Sequence, residues 1–114
     1  MERQRIGQAA EDAAVEFLQA RGVTVLFRNY RFRLGELDIV ARDGATLIIV
    51  EVRTRCSEQF GGAAASVDHR KQSKLRRAAA LLLQQQKELT ALRVRFDVIA
   101  AGPGGIEWIK HAFT

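Results

Sequence analysis

An α/β sandwich built on a mixed sheet is the fold class predicted by the order of elements: a helix, three strands, a second helix and two strands. Two observations carry this prediction. The run Leu47-Ile48-Ile49-Val50 is apolar on both faces, as expected of a central strand covered from both sides. Asp43-Gly44, between two strand-like runs, signals an antiparallel hairpin, because both turn positions favour positive φ.

The elements follow in chain order. From about Gln4 to Ala20, the residues Ile6, Ala9 or Ala10, Ala13 and Phe17 recur at helical spacing, and Val15 and Leu18 widen the stripe. Gly22 closes this helix, since glycine just past the last turn adopts the left-handed cap. Val23 to Phe32 is rich in β-branched and aromatic residues and reads as the first strand; Glu36 to Arg42 is the second and Ala45 to Arg55 the third. Ser57 to Ser66 is loop-like, with Gly61-Gly62 beside the candidate site and without the lysine of a phosphate-binding loop. Asp68 then caps a second helix over roughly His69 to Leu89, whose buried stripe is Leu75, Ala78, Ala79, Leu82 and Leu83. Arg93 to Ala101 alternates Val94, Phe96, Val98 and Ala100 on one face, a fourth strand. The turn Gly102-Pro103-Gly104-Gly105 leads into a fifth, Ile106 to Phe113. At 114 residues with no linker or repeat, a single domain over 1–114 is expected.

Composition narrows the function classes. Eighteen Lys and Arg against thirteen Asp and Glu leave a net charge of +5. Arginine predominates in this excess, and its planar fork suits phosphate. The lone cysteine, Cys56, excludes an internal disulfide and a cysteine-based zinc site, and no evident partner would activate it as a thiol. No apolar run approaches the ~20 residues of a membrane span. The charged start Met1-Glu2-Arg3-Gln4-Arg5 lacks a signal peptide's apolar stretch. A cytoplasmic protein without a membrane partner is the expectation.

Against this basic background, acidic residues stand inside apolar strands: Asp38 in Gly35-Glu36-Leu37-Asp38-Ile39-Val40, and Glu51 in Val50-Glu51-Val52-Arg53. An ionised carboxylate is costly to bury without a partner, a hydrogen bond or a metal. The hairpin can bring Asp38 and Glu51 together, and Glu51 and Arg53, two apart, project from one face. Two carboxylates, the main-chain carbonyl of Val52 and waters would satisfy Mg2+ or Mn2+. The ion would activate water at a phosphodiester, while the Arg53 cation would orient that water or stabilise the developing oxyanion. The alternative is a cross-strand salt bridge between Arg53 and the acids.

The pattern Gly35-Glu36-Leu37-Asp38 followed by Val50-Glu51-Val52-Arg53-Thr54-Arg55 resembles the YraN family of small bacterial proteins. Supporting pieces run in the same order: Gly7-Gln8-Ala9-Ala10-Glu11-Asp12-Ala13-Ala14, Arg28-Asn29-Tyr30-Arg31, Phe60 to Val67, Lys71 with Lys74-Leu75, and Arg95-Phe96-Asp97-Val98. The resemblance implies a restriction-endonuclease-like, three-layer α/β/α core with a mixed sheet of about five strands, similar to archaeal Holliday-junction resolvases. It implies a metal-dependent DNA nuclease with Asp38 as the first acid, Glu51 as the second, and Glu11 as a helix carboxylate reaching the same metal. Arg53 stands where that superfamily usually has lysine. Arginine does not lose its proton, so it cannot act as a base. Either the metal-bound water needs no lysine base, or Lys71 or Lys74 supplies an amine, or catalysis is lost and nucleic-acid binding remains.

The segment His69-Arg70-Lys71-Gln72-Ser73-Lys74-Leu75-Arg76-Arg77 places Arg70, Lys74 and Arg77 on one helical face. With Lys71 and Arg55 they form a candidate phosphate-binding ridge, against the plainer alternative of a solvated helix face. Aromatic residues for base stacking are few (Tyr30, Phe32, Phe60, Trp108), which favours duplex or branched DNA over single strands. Asp97 is expected to pair with a local arginine such as Arg95, and His69 and His111 to be structural or exposed. Cleaving both strands of a junction needs two sites, so a homodimer is expected from the implied function. A silent nucleic-acid-binding module and an adaptor for an acidic protein are the competing classes.

Overall fold

The computed structural model describes residues 2–33, 35–54 and 67–114, with side chains from residue 7 onward. Its elements are α1 (Glu2–Ala20), β1 (Thr24–Phe32), β2 (Gly35–Asp43), β3 (Thr46–Thr54), α2 (His69–Gln85), a 3-10 turn (Lys87–Ala91), β4 (Arg93–Gly102) and β5 (Gly105–Phe113). The five strands pair in sequence order. Every pairing is antiparallel except β3 with β4, which is parallel and bridged by α2 as the crossover. Arg55, Cys56, Phe60 and Gly61-Gly62 lie outside the described residues, as does the side chain of Ile6.

Strand periodicity divides the core into two layers. Leu47 and Ile49 of β3 pack with Leu75, Ala78, Ala79 and Leu82 of α2. Their neighbours Ile48 and Val50 pack on the other face with Ala14 and Leu18 of α1. All four β3 residues are buried, so the doubly apolar run is the central strand of a three-layer α/β/α arrangement. Burying such side chains stabilises the fold by roughly 1.5–3 kcal/mol each, before chain entropy. The α1 stripe runs through Ala10, Ala14 and Leu18, with Ala13, Val15 and Phe17 only partly covered. Two small residues among the three bring that helix close to the sheet.

The termini of α1 and α2 show why the chain turns where it does. Gly22, at φ +80°, ends α1 in a Schellman motif: Val23 N donates to Leu18 O at 3.1 Å and Gly22 N to Gln19 O at 3.1 Å. Asp68 caps α2 by accepting from Lys71 N at 2.9 Å.

Two expectations need correction. The β2–β3 turn is centred on Gly44-Ala45, because Asp43 already pairs with Thr46. Only Gly44 has positive φ, +59°, so glycine takes the first central position and Asp43 keeps strand geometry. The second helix also stops at Gln85, short of Leu89. Gln86 leaves helical geometry, its side-chain amide donates to Tyr30 Oη at 3.3 Å, and the 3-10 turn buries Leu89 in the α2-side core.

Candidate active site

The β2–β3 ladder begins at Asp43–Thr46 and ends at Ile39–Val50. Beyond that point the two strands part. Val52 N, which would otherwise lack a cross-strand partner, donates to Asp38 Oδ2 at 2.9 Å. The carboxyl of Asp38 therefore fills the fork between β2 and β3. The carbonyl of a strand residue points to the same edge as its N–H, so the Val52 carbonyl faces this fork as well.

Glu51 stands next to it on β3 and is 4% exposed. Its Oε2 lies 3.2 Å from Arg53 Nη2 and 3.3 Å from Lys71 Nζ. Its Oε1 is buried with no hydrogen-bond partner among the described residues, and the same holds for Arg53 Nε. An unpartnered buried carboxylate oxygen is uncommon and costly. The carboxyl of Asp38 is pushed up to about 7, first by burial and then by the charge of Glu51, while Val52 N–H and Lys71 offset part of the rise. Within the fork, the Val52 N–H and Lys71 offset the burial of the Asp38 charge only in part.

Glu11 approaches from α1. Its Oε1 accepts from Asn29 Nδ2 at 2.8 Å and lies 3.9 Å from Arg28 Nη2. Burial raises its pKa, the charge of Asp38 adds to the rise, and Arg28 opposes it. Glu11 thus senses Asp38, although no three His, Cys, Asp or Glu side chains converge into a ligand group among the described residues. Asn29 belongs to a stretch that carries the family resemblance, but the sequence assigns it no role in the site. The pairs Arg28–Ile39 and Tyr30–Leu37 put it opposite Asp38, and its φ of +50° turns its amide toward Glu11. The signal for it was present: asparagine is a poor strand residue and one of the few that tolerate left-handed geometry.

The remaining candidates separate. Lys71 reaches the acid pair because the Asp68 cap fixes the first turn of α2 at this height. Lys74 and Arg77 line a neighbouring cleft, and Arg70 is exposed outside it. Asp97 belongs elsewhere. It is fully buried and accepts from Arg95 Nε at 2.9 Å and Nη2 at 2.8 Å, as expected, and also from Trp108 Nε1 and His111 N, each at 2.9 Å. Trp108 packs edge-on against Phe17 with ring centres 6.1 Å apart, tying β5 to α1. This satisfied network is structural.

Fold and site define a small α/β protein with an acid pair in a strand fork, flanked by an arginine of the same strand and a lysine of the crossover helix. The family model described as "Uncharacterised protein family UPF0102" matches residues 10–101, and the chain belongs to this family, to which the YraN resemblance points. It is similar to the UPF0102 protein of Ralstonia nicotianae, with 51% identity over 112 residues, 94% of this chain and 85% of the relative. It is 48% identical over 113 residues to that of Xanthomonas euvesicatoria pv. vesicatoria, covering 97% and 93% of the two chains. With the Shewanella halifaxensis protein it shares 45% identity over 107 residues, 94% and 93% of the two.

Proposed function

We propose that this chain is a divalent-metal-dependent nuclease acting on DNA, with Asp38 and Glu51 at its centre. The observation that carries the proposal is the fork itself: two carboxyls stand side by side, one oxygen of the buried Glu51 has no partner among the described residues, and the Asp38 carboxyl is pushed up to about 7. A dication there would stabilise the ionised Asp38 carboxyl against its burial and the charge of Glu51. The donor set fits Mg2+ or Mn2+, which bind through one or two carboxylates and retain several waters. Asp38, Glu51 and the carbonyl of Val52 would hold the ion, while Glu11, held by Asn29 and Arg28, would act on it from α1 through its charge. When bound, the ion supplies Lewis-acid charge at the phosphoryl oxygens and a water of lowered pKa.

The protein's own groups do the positioning. Arg53 donates to a phosphate oxygen beside Glu51. Lys71 brings the amine that β3 lacks, from the first turn of α2, to 3.3 Å from Glu51. A strand lysine is therefore dispensable, since a helix lysine occupies the same neighbourhood. The basic face of α2 supplies phosphate contacts, and a cytoplasmic setting gives access to DNA. A homodimer would place two such sites on a branched substrate.

One observation favours a second reading. Glu51 already holds two cations, and Glu11 is held by Asn29 and Arg28. A silent nucleic-acid-binding module would look like this, its acids neutralised by internal pairs. The deciding experiment incubates the protein with Mg2+ or Mn2+ and labelled duplex, single-stranded, flap and four-way-junction DNAs, beside Asp38→Asn/Glu51→Gln. Cleavage by wild type alone supports the nuclease. Binding by both proteins without cleavage supports the silent module.

A further inference from the structure

A cleft of about 490 Å³ lies between the end of β1 and α2. Its volume falls within the ~300–1,000 Å³ typical of small-ligand sites. Its floor is apolar, made by Phe32, Leu75, Ala78 and Leu81. Its rim carries Arg33, Lys71, Lys74 and Arg77 against one carboxylate, Glu36, which already accepts from Arg31 at 3.2 Å. Leu81 is 42% exposed, one of two large hydrophobic residues left so open among the described residues.

These two chemistries together are selective. A duplex offers a groove-lining helix its phosphates, sugars and base edges and keeps its base faces stacked inside, so an apolar floor would meet no base face. An unpaired nucleotide offers an aromatic face and an anionic phosphate within one residue. The cleft also adjoins the acid pair through one shared residue. Lys71 lines its wall and touches Glu51 at 3.3 Å, so a nucleotide seated there has its adjoining phosphate near the fork.

We propose that this cleft receives an unpaired nucleotide next to the scissile phosphate, and that the substrates are therefore DNAs with an extrahelical or single-stranded residue. The base lies on Phe32 and Leu81, and Arg33, Lys74 and Arg77 hold the flanking phosphates. This deepens, and rests on, the nucleic-acid function proposed above.

The test compares two duplexes of one sequence, each containing 2-aminopurine, paired in one and bulged in the other, with Ca2+ present to prevent turnover. Wild type is expected to bind the bulged duplex about tenfold more tightly, in line with stacking of one base on a protein side chain, with a change in 2-aminopurine fluorescence. Leu81→Ser, at an exposed position that leaves the core intact, is expected to abolish that preference and leave affinity for the paired duplex unchanged. Arg77→Gln is expected to weaken both complexes alike. Equal affinity of wild type for the two duplexes, or equal weakening of both by Leu81→Ser, overturns the proposal and leaves nucleic-acid binding standing. Failure of wild type to bind either duplex overturns this proposal and the nucleic-acid function together.

Discussion

Replacing Asp38 by asparagine is expected to stabilise the metal-free protein above neutrality and to leave it almost unchanged near pH 4. In the fold, the Asp38 carboxyl is raised from 3.8 to about 7, chiefly by burial and next by the charge of Glu51. In the unfolded chain it titrates near its ordinary value of ~3.9. Below pH ~4 both states are protonated and there is no penalty. Between pH ~4 and ~7 the folded protein keeps a proton that the unfolded chain has released, so stability falls as pH rises. Above ~7 both states are ionised and the full penalty persists. At ~1.36 kcal/mol per pH unit, the rise from 3.8 to about 7 bounds that penalty at ~4 kcal/mol. Removing that charge therefore recovers up to this amount, about 2–4 kcal/mol. Asparagine keeps an acceptor for Val52 N–H, which now donates to Asp38 at 2.9 Å. Urea unfolding in EDTA at pH 4, 6 and 8 measures the effect. The stability of Asp38→Asn minus that of wild type should grow from near zero to ~2 kcal/mol or more, a gain of roughly 6–12 °C in Tm for a domain of this size. A difference that does not vary with pH, or a variant that is the less stable protein at pH 8, refutes this account of the Asp38 carboxyl.

Other consequences follow from the same geometry. Asp97→Ala leaves Arg95, Trp108 Nε1 and His111 N without their acceptor, so denaturant unfolding should show a loss of about 3–5 kcal/mol. Asn29→Gly keeps the left-handed backbone at φ +50° but deletes the amide that holds Glu11. Its stability should change by less than ~1 kcal/mol, while Mn2+-dependent cleavage falls at least tenfold in a single-turnover assay. Lys71→Gln should reduce cleavage more than DNA affinity, because Lys71 touches Glu51, whereas Lys74→Gln should do the reverse. In a salt titration of DNA binding, Lys74→Gln should lower the slope of log K against log salt by ~0.9, the contribution of one phosphate contact.

Much of the fold was legible because its signals are local. Leu47 to Val50 alternate between two cores as period-two geometry requires, and Gly22 and Asp68 terminate helices by short-range hydrogen bonds. The end of α2 was not legible, since Gln86, Lys87 and Glu88 are good helix formers and the break depends on Tyr30 and on burial of Leu89. Asp38, Glu51 and Arg53 could be placed together from strand spacing and a hairpin. The point where β2 leaves β3 could not, because no residue type marks where a ladder stops. Lys71 and Lys74 were equal candidates for reaching the acids, and only the capped first turn of α2 selects Lys71. The role of Asn29 was not legible because it lies in a backbone angle and a contact eighteen residues away.

Calorimetric titration of the DNA-free protein with Mn2+ at pH 8, beside Asp38→Asn/Glu51→Gln, tests the central claim most directly. Saturable binding of one ion by wild type, lost in the folded double variant, is the predicted result. Equal binding by the two proteins, or none by wild type, would contradict a metal centre in the β2–β3 fork.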